Sequence, residues 1–225
     1  MKLYIVHGWT YDVAGWEKVV KLLDKRGVDA KLLRVPGLTE PSERVWTIEK
    51  YIDWADRNIP DGAIALGHSN GGRILMNLLA KKPKKLKGLI LLDSAGIYKS
   101  SLKRSILRVT AKIFAPLKYI KTLRKLFHRL IGASDYTKAP ENMKQTLHNM
   151  IVSDKQLDPA KVSVPTQIIW GTADTTTPLR QGEKLHRLIK GSKLIVKPGW
   201  KHAPYLKVPE KLAEVIAQSA RELAK

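Results

Sequence analysis

The segment Gly67-His68-Ser69-Asn70-Gly71 sets a serine midway between two glycines. An apolar run, residues 63–66, precedes it, and a stretch of helical spacing, residues 74–80, follows. A strand-to-helix turn with this pattern exposes its serine hydroxyl at the apex of a tight, strained backbone. The helix that follows aims the positive end of its dipole at the same point, where negative charge would develop. Serine is a poor nucleophile near neutral pH, so it needs a base, and the base needs an acid to orient it. For a serine on such a turn the chain order is serine, acid, histidine. His202, in Gly199-Trp200-Lys201-His202, follows the last apolar run, and Asp174, in Gly171-Thr172-Ala173-Asp174, follows the run before it.

Other residues compete for these roles. Asp93, in Leu92-Asp93-Ser94, also ends an apolar run and is the best rival. Asp174 is preferred because it follows the penultimate run, where the order expects the acid. His68 adjoins Ser69, so its side chain points away from the serine face. His128, His148 and His186 fall in helical stretches and read as surface or packing residues. A tetrahedral oxyanion needs two backbone donors. The Asn70 amide, directly after the nucleophile, is one. The Trp9 amide, in His7-Gly8-Trp9 after the first apolar run, is the other candidate, with Gly8 allowing close approach.

These residues need a scaffold that gathers strand ends. Residues 3–6, 30–35, 63–66, 89–92, 167–170 and 193–196 read as strands. Residues 14–26, 43–58, 74–80, 179–189 and 210–223 read as helices. Strands alternating with helices predict an α/β fold: a mostly parallel sheet of about six strands with helices on both faces. Such sheets collect their sites at the carboxyl edge, where Ser69, Asp174 and His202 would all lie. Between Tyr98 and Ser163 no strand is visible, and apolar positions from Leu102 to Leu130 recur at three- and four-residue steps. This predicts an inserted helical cap over residues 98–162, with residues 1–97 and 163–225 as the core. An apolar stripe that includes Phe114 and Leu117 would cover the pocket.

The chain has 225 residues, a size suited to one domain with an inserted lobe. It has no cysteine, which excludes a thiol nucleophile, an iron–sulfur cluster and a cysteine zinc site. No apolar run reaches membrane-spanning length, and the N-terminus lacks the long apolar core of a signal peptide, so a cytoplasmic protein is expected. Lys plus Arg is 41 against 20 Asp plus Glu, a formal charge of +21. Residues 94–134 hold ten Lys or Arg and no acid. Nucleic acid is disfavoured, because the aromatic residues are not interleaved with basic ones and zinc-finger spacings are absent. A solvated basic face is the plain reading of the charge. Docking on an anionic membrane or attraction of acidic substrates are the alternatives.

Taken together, His7-Gly8-Trp9, Gly67-His68-Ser69-Asn70-Gly71-Gly72, Gly171-Thr172-Ala173-Asp174 with Pro178, and Gly199-Trp200-Lys201-His202 resemble the α/β-hydrolase superfamily nearly end to end. Leu92-Asp93-Ser94-Ala95-Gly96, and Ser134-Asp135-Tyr136 followed by Met143 and Thr146, resemble its serine esterase-type members with a helical cap. The resemblance implies ester or related hydrolysis without metal or cofactor. Two departures stand in the loop after the second strand: Arg34 where such proteins often carry Asp, and Thr39 where they carry Gly. The expected activity is a carboxylesterase acting on small to medium acyl esters through Ser69, His202 and Asp174. Carbon–carbon or lactone hydrolysis by the same triad stays open, as does a basic, non-catalytic binding protein of this fold.

Overall fold

The computed structural model describes residues 1–10, 12–97 and 140–225. Strands β1 (Lys2–Val6), β2 (Asp29–Leu33), β3 (Ala63–His68), β4 (Leu86–Leu92), β5 (Thr166–Gly171) and β6 (Lys193–Lys197) form one sheet in the order β2-β1-β3-β4-β5-β6. Every pairing is parallel. The helices among the described residues are α1 (Ala14–Asp24), α2 (Ile48–Asn58), α3 (Asn70–Lys81), α4 (Glu141–Ser153), α5 (Leu179–Leu188), α6 (Pro204–Lys207) and α7 (Pro209–Ala224). None is long and apolar enough to cross a membrane.

Strand alternation splits the core in two. Leu3, Ile5, Ile64, Leu66, Ile90 and Leu92 face α1 and α7, against Trp16, Val19, Leu212 and Ile216. Tyr4, Val6, Ala65, Leu89 and Leu91 face the other way, against Tyr51, Ile74, Leu75 and Leu78. A parallel sheet covered on both faces needs such near-continuous apolar strands, which is why short runs in the sequence mark them. The chain steps from β1 out to β2 and then crosses to β3 on β1's other side. The carboxyl ends of β1 and β3 therefore flank a switch point, the place where open α/β sheets bind their ligands.

Helix α2 starts at Ile48, five residues later than the apolar pattern predicts. Thr47 caps it, its side chain accepting the Lys50 amide at 3.4 Å. Trp46, just outside, stacks on Tyr51 with ring centroids 5.0 Å apart. This staple continues the apolar stripe beyond the helix and makes the helix look longer in sequence. Helix α3 starts at Asn70, immediately after the serine, earlier than its apolar spacing suggests. The loop with Arg34 and Thr39 is held both internally and to α1. Thr39 Oγ1 accepts the Val35 amide at 2.6 Å, and Arg34 pairs with Glu17 at 3.1 Å.

Of the expected cap, residues 98–139 lie outside the described residues, and with them Phe114, Leu117 and His128. The described remainder contains α4, which packs beside α2. Thr146 Oγ1 accepts the Trp46 amide at 2.9 Å, and Asn149 donates to the Trp46 carbonyl at 3.1 Å. Asn142 donates to the Ser42 carbonyl.

Candidate active site

Ser69 follows β3 directly and caps α3 with φ 53° and ψ −121°. A non-glycine residue in this region is strained and persists only where its surroundings hold it. Those surroundings are explicit. The Ser69 amide donates to Leu92 O at 3.2 Å, and its carbonyl accepts from Ala95 N at 3.0 Å. The turn is also tight on its glycine side: a Cβ on Gly71 would lie 1.9 Å from the Val6 carbonyl oxygen. No other residue type fits there.

His202 and Asp174 reach Ser69 from the ends of β6 and β5. His202 Nε2 lies 3.1 Å from Ser69 Oγ. Its Nδ1 lies 2.8 Å from Asp174 Oδ2. The Asp174 side chain is fully buried, while that of His202 is 23% exposed. Asp174 Oδ1 accepts the amides of Thr176 at 2.7 Å and Thr177 at 2.9 Å. Thr177 Oγ1 donates to Oδ2 at 2.7 Å. Burial pushes the Asp174 carboxyl up, but hydrogen bonds from His202 and Thr177, with the charge of His202, more than reverse this and leave it below its ordinary value. A buried, ionised carboxylate so placed selects the His202 tautomer with hydrogen on Nδ1. That leaves Nε2 free to accept the serine proton.

Asp93 occupies a different position. It directly follows β4, with φ 42°, and its Oδ1 accepts the Gly171 amide at 2.9 Å. Its Oδ2 is buried without a hydrogen-bond partner among the described residues. Burial, opposed by the Gly171 bond and assisted by the Asp174 charge, raises its carboxyl to about 8. The structure thus brings Asp174, and not Asp93, against His202.

Gly8 lies against the serine turn. A Cβ there would stand 2.8 Å from Ser69 Cβ, 3.0 Å from Asn70 N and 3.1 Å from Ser69 Oγ. The His7-Gly8-Trp9 backbone therefore passes beside the hydroxyl. Asn70 is the first residue of α3, so its amide has no acceptor within the helix. Facing loops of this kind can present two amides to one oxyanion.

Two contributors were not foreseen. Thr177 fixes the Asp174 carboxylate, and only folding places its hydroxyl there. His68 is 2% exposed and turns away from Ser69, as strand alternation predicts, yet it remains part of the site: its Nε2 lies 2.7 Å from the His202 carbonyl oxygen. His186 instead contacts Ser192 Oγ at 3.0 Å, in α5, and His148 lies in α4. Among the described residues no cluster of three His, Cys, Asp or Glu could hold a metal ion.

Comparison with known proteins agrees with this architecture. The sequence is 27% identical over 232 residues to a protein of Neisseria meningitidis named pimeloyl-[acyl-carrier protein] methyl ester esterase, covering 94% of this chain and 90% of that one. A protein of the same name from Aromatoleum aromaticum is 24% identical, covering 97% and 98%. Among solved structures, a thermophilic esterase from Thermogutta terrifontis superposes with a TM-score of 0.67 at 21% identity, covering 100% of this chain and 91% of that one. An α/β-hydrolase enzyme from the metagenome of Mar Chica lagoon sediments gives 0.69 at 20% identity, covering 100% and 92%. At these identities the superpositions speak for the fold. The sequence profile of the alpha/beta hydrolase fold matches residues 3–209, nearly the whole chain, and the protein belongs to that family.

Proposed function

We propose that the protein is a serine carboxylesterase that cleaves small to medium acyl esters through an acyl-enzyme intermediate. The observation that carries this reading is the unbroken hydrogen-bonded line from Ser69 Oγ through His202, 3.1 Å to Nε2 and 2.8 Å from Nδ1, to Asp174. Ser69 Oγ attacks the acyl carbonyl carbon while His202 Nε2 takes its proton. The tetrahedral oxyanion sits beside Gly8, where the Asn70 and Trp9 amides donate to it. Asp174, held ionised, stabilises the imidazolium. His202 then returns the proton to the leaving alkoxide, and the alcohol departs. A water molecule, deprotonated by His202, then attacks the acyl carbonyl carbon; the bond to Ser69 Oγ breaks, His202 returns the proton to that oxygen, and the acid leaves.

The relatives' names draw the substrate reading toward the methyl ester of a carrier-bound acid. The formal charge of +21, with ten cations and no acid between residues 94 and 134, suits an acidic carrier protein. The test is a panel of p-nitrophenyl esters of increasing acyl length, run beside a methyl pimeloyl group carried on an acyl-carrier protein. The reading expects turnover of short and medium esters that Ser69→Ala abolishes. It also expects a higher kcat/KM for the carrier-bound ester that falls as salt rises. Turnover that survives in Ser69→Ala, or confinement of activity to lactones or carbon–carbon bonds, contradicts it.

A further inference from the structure

Two buried imidazoles stand behind the site. His7 follows β1 and His68 ends β3, on strands paired in register at Val6 and Gly67. Each is 2% exposed. Their rings stack with centroids 4.7 Å apart, and the two Nδ1 atoms lie 2.8 Å apart. Trp16 and Tyr205 close round them, with Tyr205 edge-on to His7 at 5.1 Å and to His68 at 5.6 Å. Trp16 lies 5.4 Å from His7 and 5.9 Å from His68. On its far side His68 meets the catalytic loop, with Nε2 2.7 Å from the His202 carbonyl oxygen.

These contacts admit one proton arrangement. In so apolar an enclosure each ring is neutral, with one N–H and one bare nitrogen. A carbonyl oxygen only accepts, so His68 Nε2 carries the hydrogen that meets His202. His68 Nδ1 is then bare and must accept. His7 Nδ1 therefore carries the other hydrogen, which leaves His7 Nε2 bare. That atom is buried and meets no acceptor among the described residues that would call for a hydrogen on it, which is compatible with this arrangement. A directed line results: His7 Nδ1–H to His68 Nδ1, then His68 Nε2–H to the His202 carbonyl.

We propose that His68 is a positioning residue, locked by His7 into the tautomer that donates to the His202 backbone, and that this contact holds the His202 ring between Asp174 and Ser69. The inference rests on the reading of Ser69, His202 and Asp174 given above. The line joins the ends of β1 and β3 to the loop after β6, so the Gly8 backbone, the serine turn and the catalytic histidine are registered against one another. A base displaced by a fraction of an ångström from its serine loses rate without loss of substrate affinity. His68 also adds no charge beside His202, whose ring centroid lies 5.0 Å away and becomes cationic during acylation.

The test uses two replacements that divide the ring. His68→Gln can place an amide N–H near the former Nε2, keeping donation to His202 but losing the acceptor for His7. His68→Asn can offer only an acceptor near the former Nδ1, keeping the His7 contact and losing that to His202. The proposal expects His68→Asn to lower kcat and the rate of fluorophosphonate labelling on the order of 10- to 100-fold with KM nearly unchanged, and expects His68→Gln to recover most of that loss. Equal losses in the two variants, or the reverse ranking, would overturn it. Histidine ¹⁵N NMR of the unsubstituted protein gives a second readout that needs neither activity nor a folded variant. It should show hydrogen on His68 Nε2 and His7 Nδ1, with both partner nitrogens bare. Hydrogen on His68 Nδ1 would overturn the proposal even where Ser69 proves to be the nucleophile. An unlabelled Ser69 beside the expected tautomers would instead refute the triad reading.

Discussion

Replacing Asp93 by Asn should remove most of the pH dependence that this carboxyl imposes on folding. Asp93 is fully buried, and its carboxyl is raised from an ordinary value of 3.8 to about 8. The folded state therefore holds this proton more tightly than the unfolded chain. The associated stability is fully present below about pH 4 and is lost as the pH rises to about 8. A shift of about four pKa units corresponds to roughly 5 kcal/mol overall, of which about 3–4 kcal/mol falls between about pH 5 and pH 8. That is a large share of the roughly 5–15 kcal/mol by which proteins are stable. The Asp93→Asn side chain keeps an oxygen for the Gly171 amide, now met by Asp93 Oδ1 at 2.9 Å, and has no charge to acquire. Urea unfolding of both proteins at about pH 5, 6.5 and 8 should show the variant gaining on the parent by about 3–4 kcal/mol across the range. A constant difference between the two would contradict this, because Asp93 would then be ionised in the folded protein throughout. Activity should stay within a few-fold, because the Asp93 carboxyl meets the Gly171 amide, whereas His202 is held by Asp174.

Other changes separate the remaining parts. Asp174→Asn should lower kcat on the order of 10⁴-fold, by presenting an amide to the Nδ1 hydrogen of His202, whereas Asp93→Asn should not. Gly8→Ala sets a methyl 2.8 Å from Ser69 Cβ, 3.0 Å from Asn70 N and 3.1 Å from Ser69 Oγ, so the serine turn must shift; kcat should fall about 10²- to 10³-fold and the thermal midpoint should fall with it. Arg73, in the first turns of α3, holds Asp154 through Nε at 2.6 Å and Nη2 at 2.8 Å, with both side chains under a tenth exposed. Arg73→Met or Asp154→Asn alone should destabilise by about 3–5 kcal/mol in urea titration, and the double replacement Arg73→Met with Asp154→Leu should recover much of it.

The six strands were legible because a sheet buried on both faces demands short, continuous apolar runs, such as Leu3 to Val6 and Leu89 to Leu92. The serine turn was legible because glycine is the only residue that fits at position 71, against the Val6 carbonyl. What stayed hidden depends on pairing across the chain. Thr177 gives no signal of its own, since threonine in a loop is ordinary until the backbone curls Asp174 beneath His202. Arg73 and Asp154 are separated by 81 positions and meet only when α4 returns to the base of α3. His68 was correctly turned from the serine face by strand alternation, but its contact with the His202 carbonyl required the loop after β6 to be in place. The start of α2 lies later than the apolar spacing suggests, because Trp46 continues that spacing while lying outside the helix.

The most direct test of the account is to react the protein with a fluorophosphonate and locate the adduct by peptide mass spectrometry. A single phosphonylated residue is expected, Ser69, labelled at least on the order of 100-fold more slowly when His202 is replaced by Gln. An adduct on another serine, or labelling of Ser69 indifferent to His202, would contradict it.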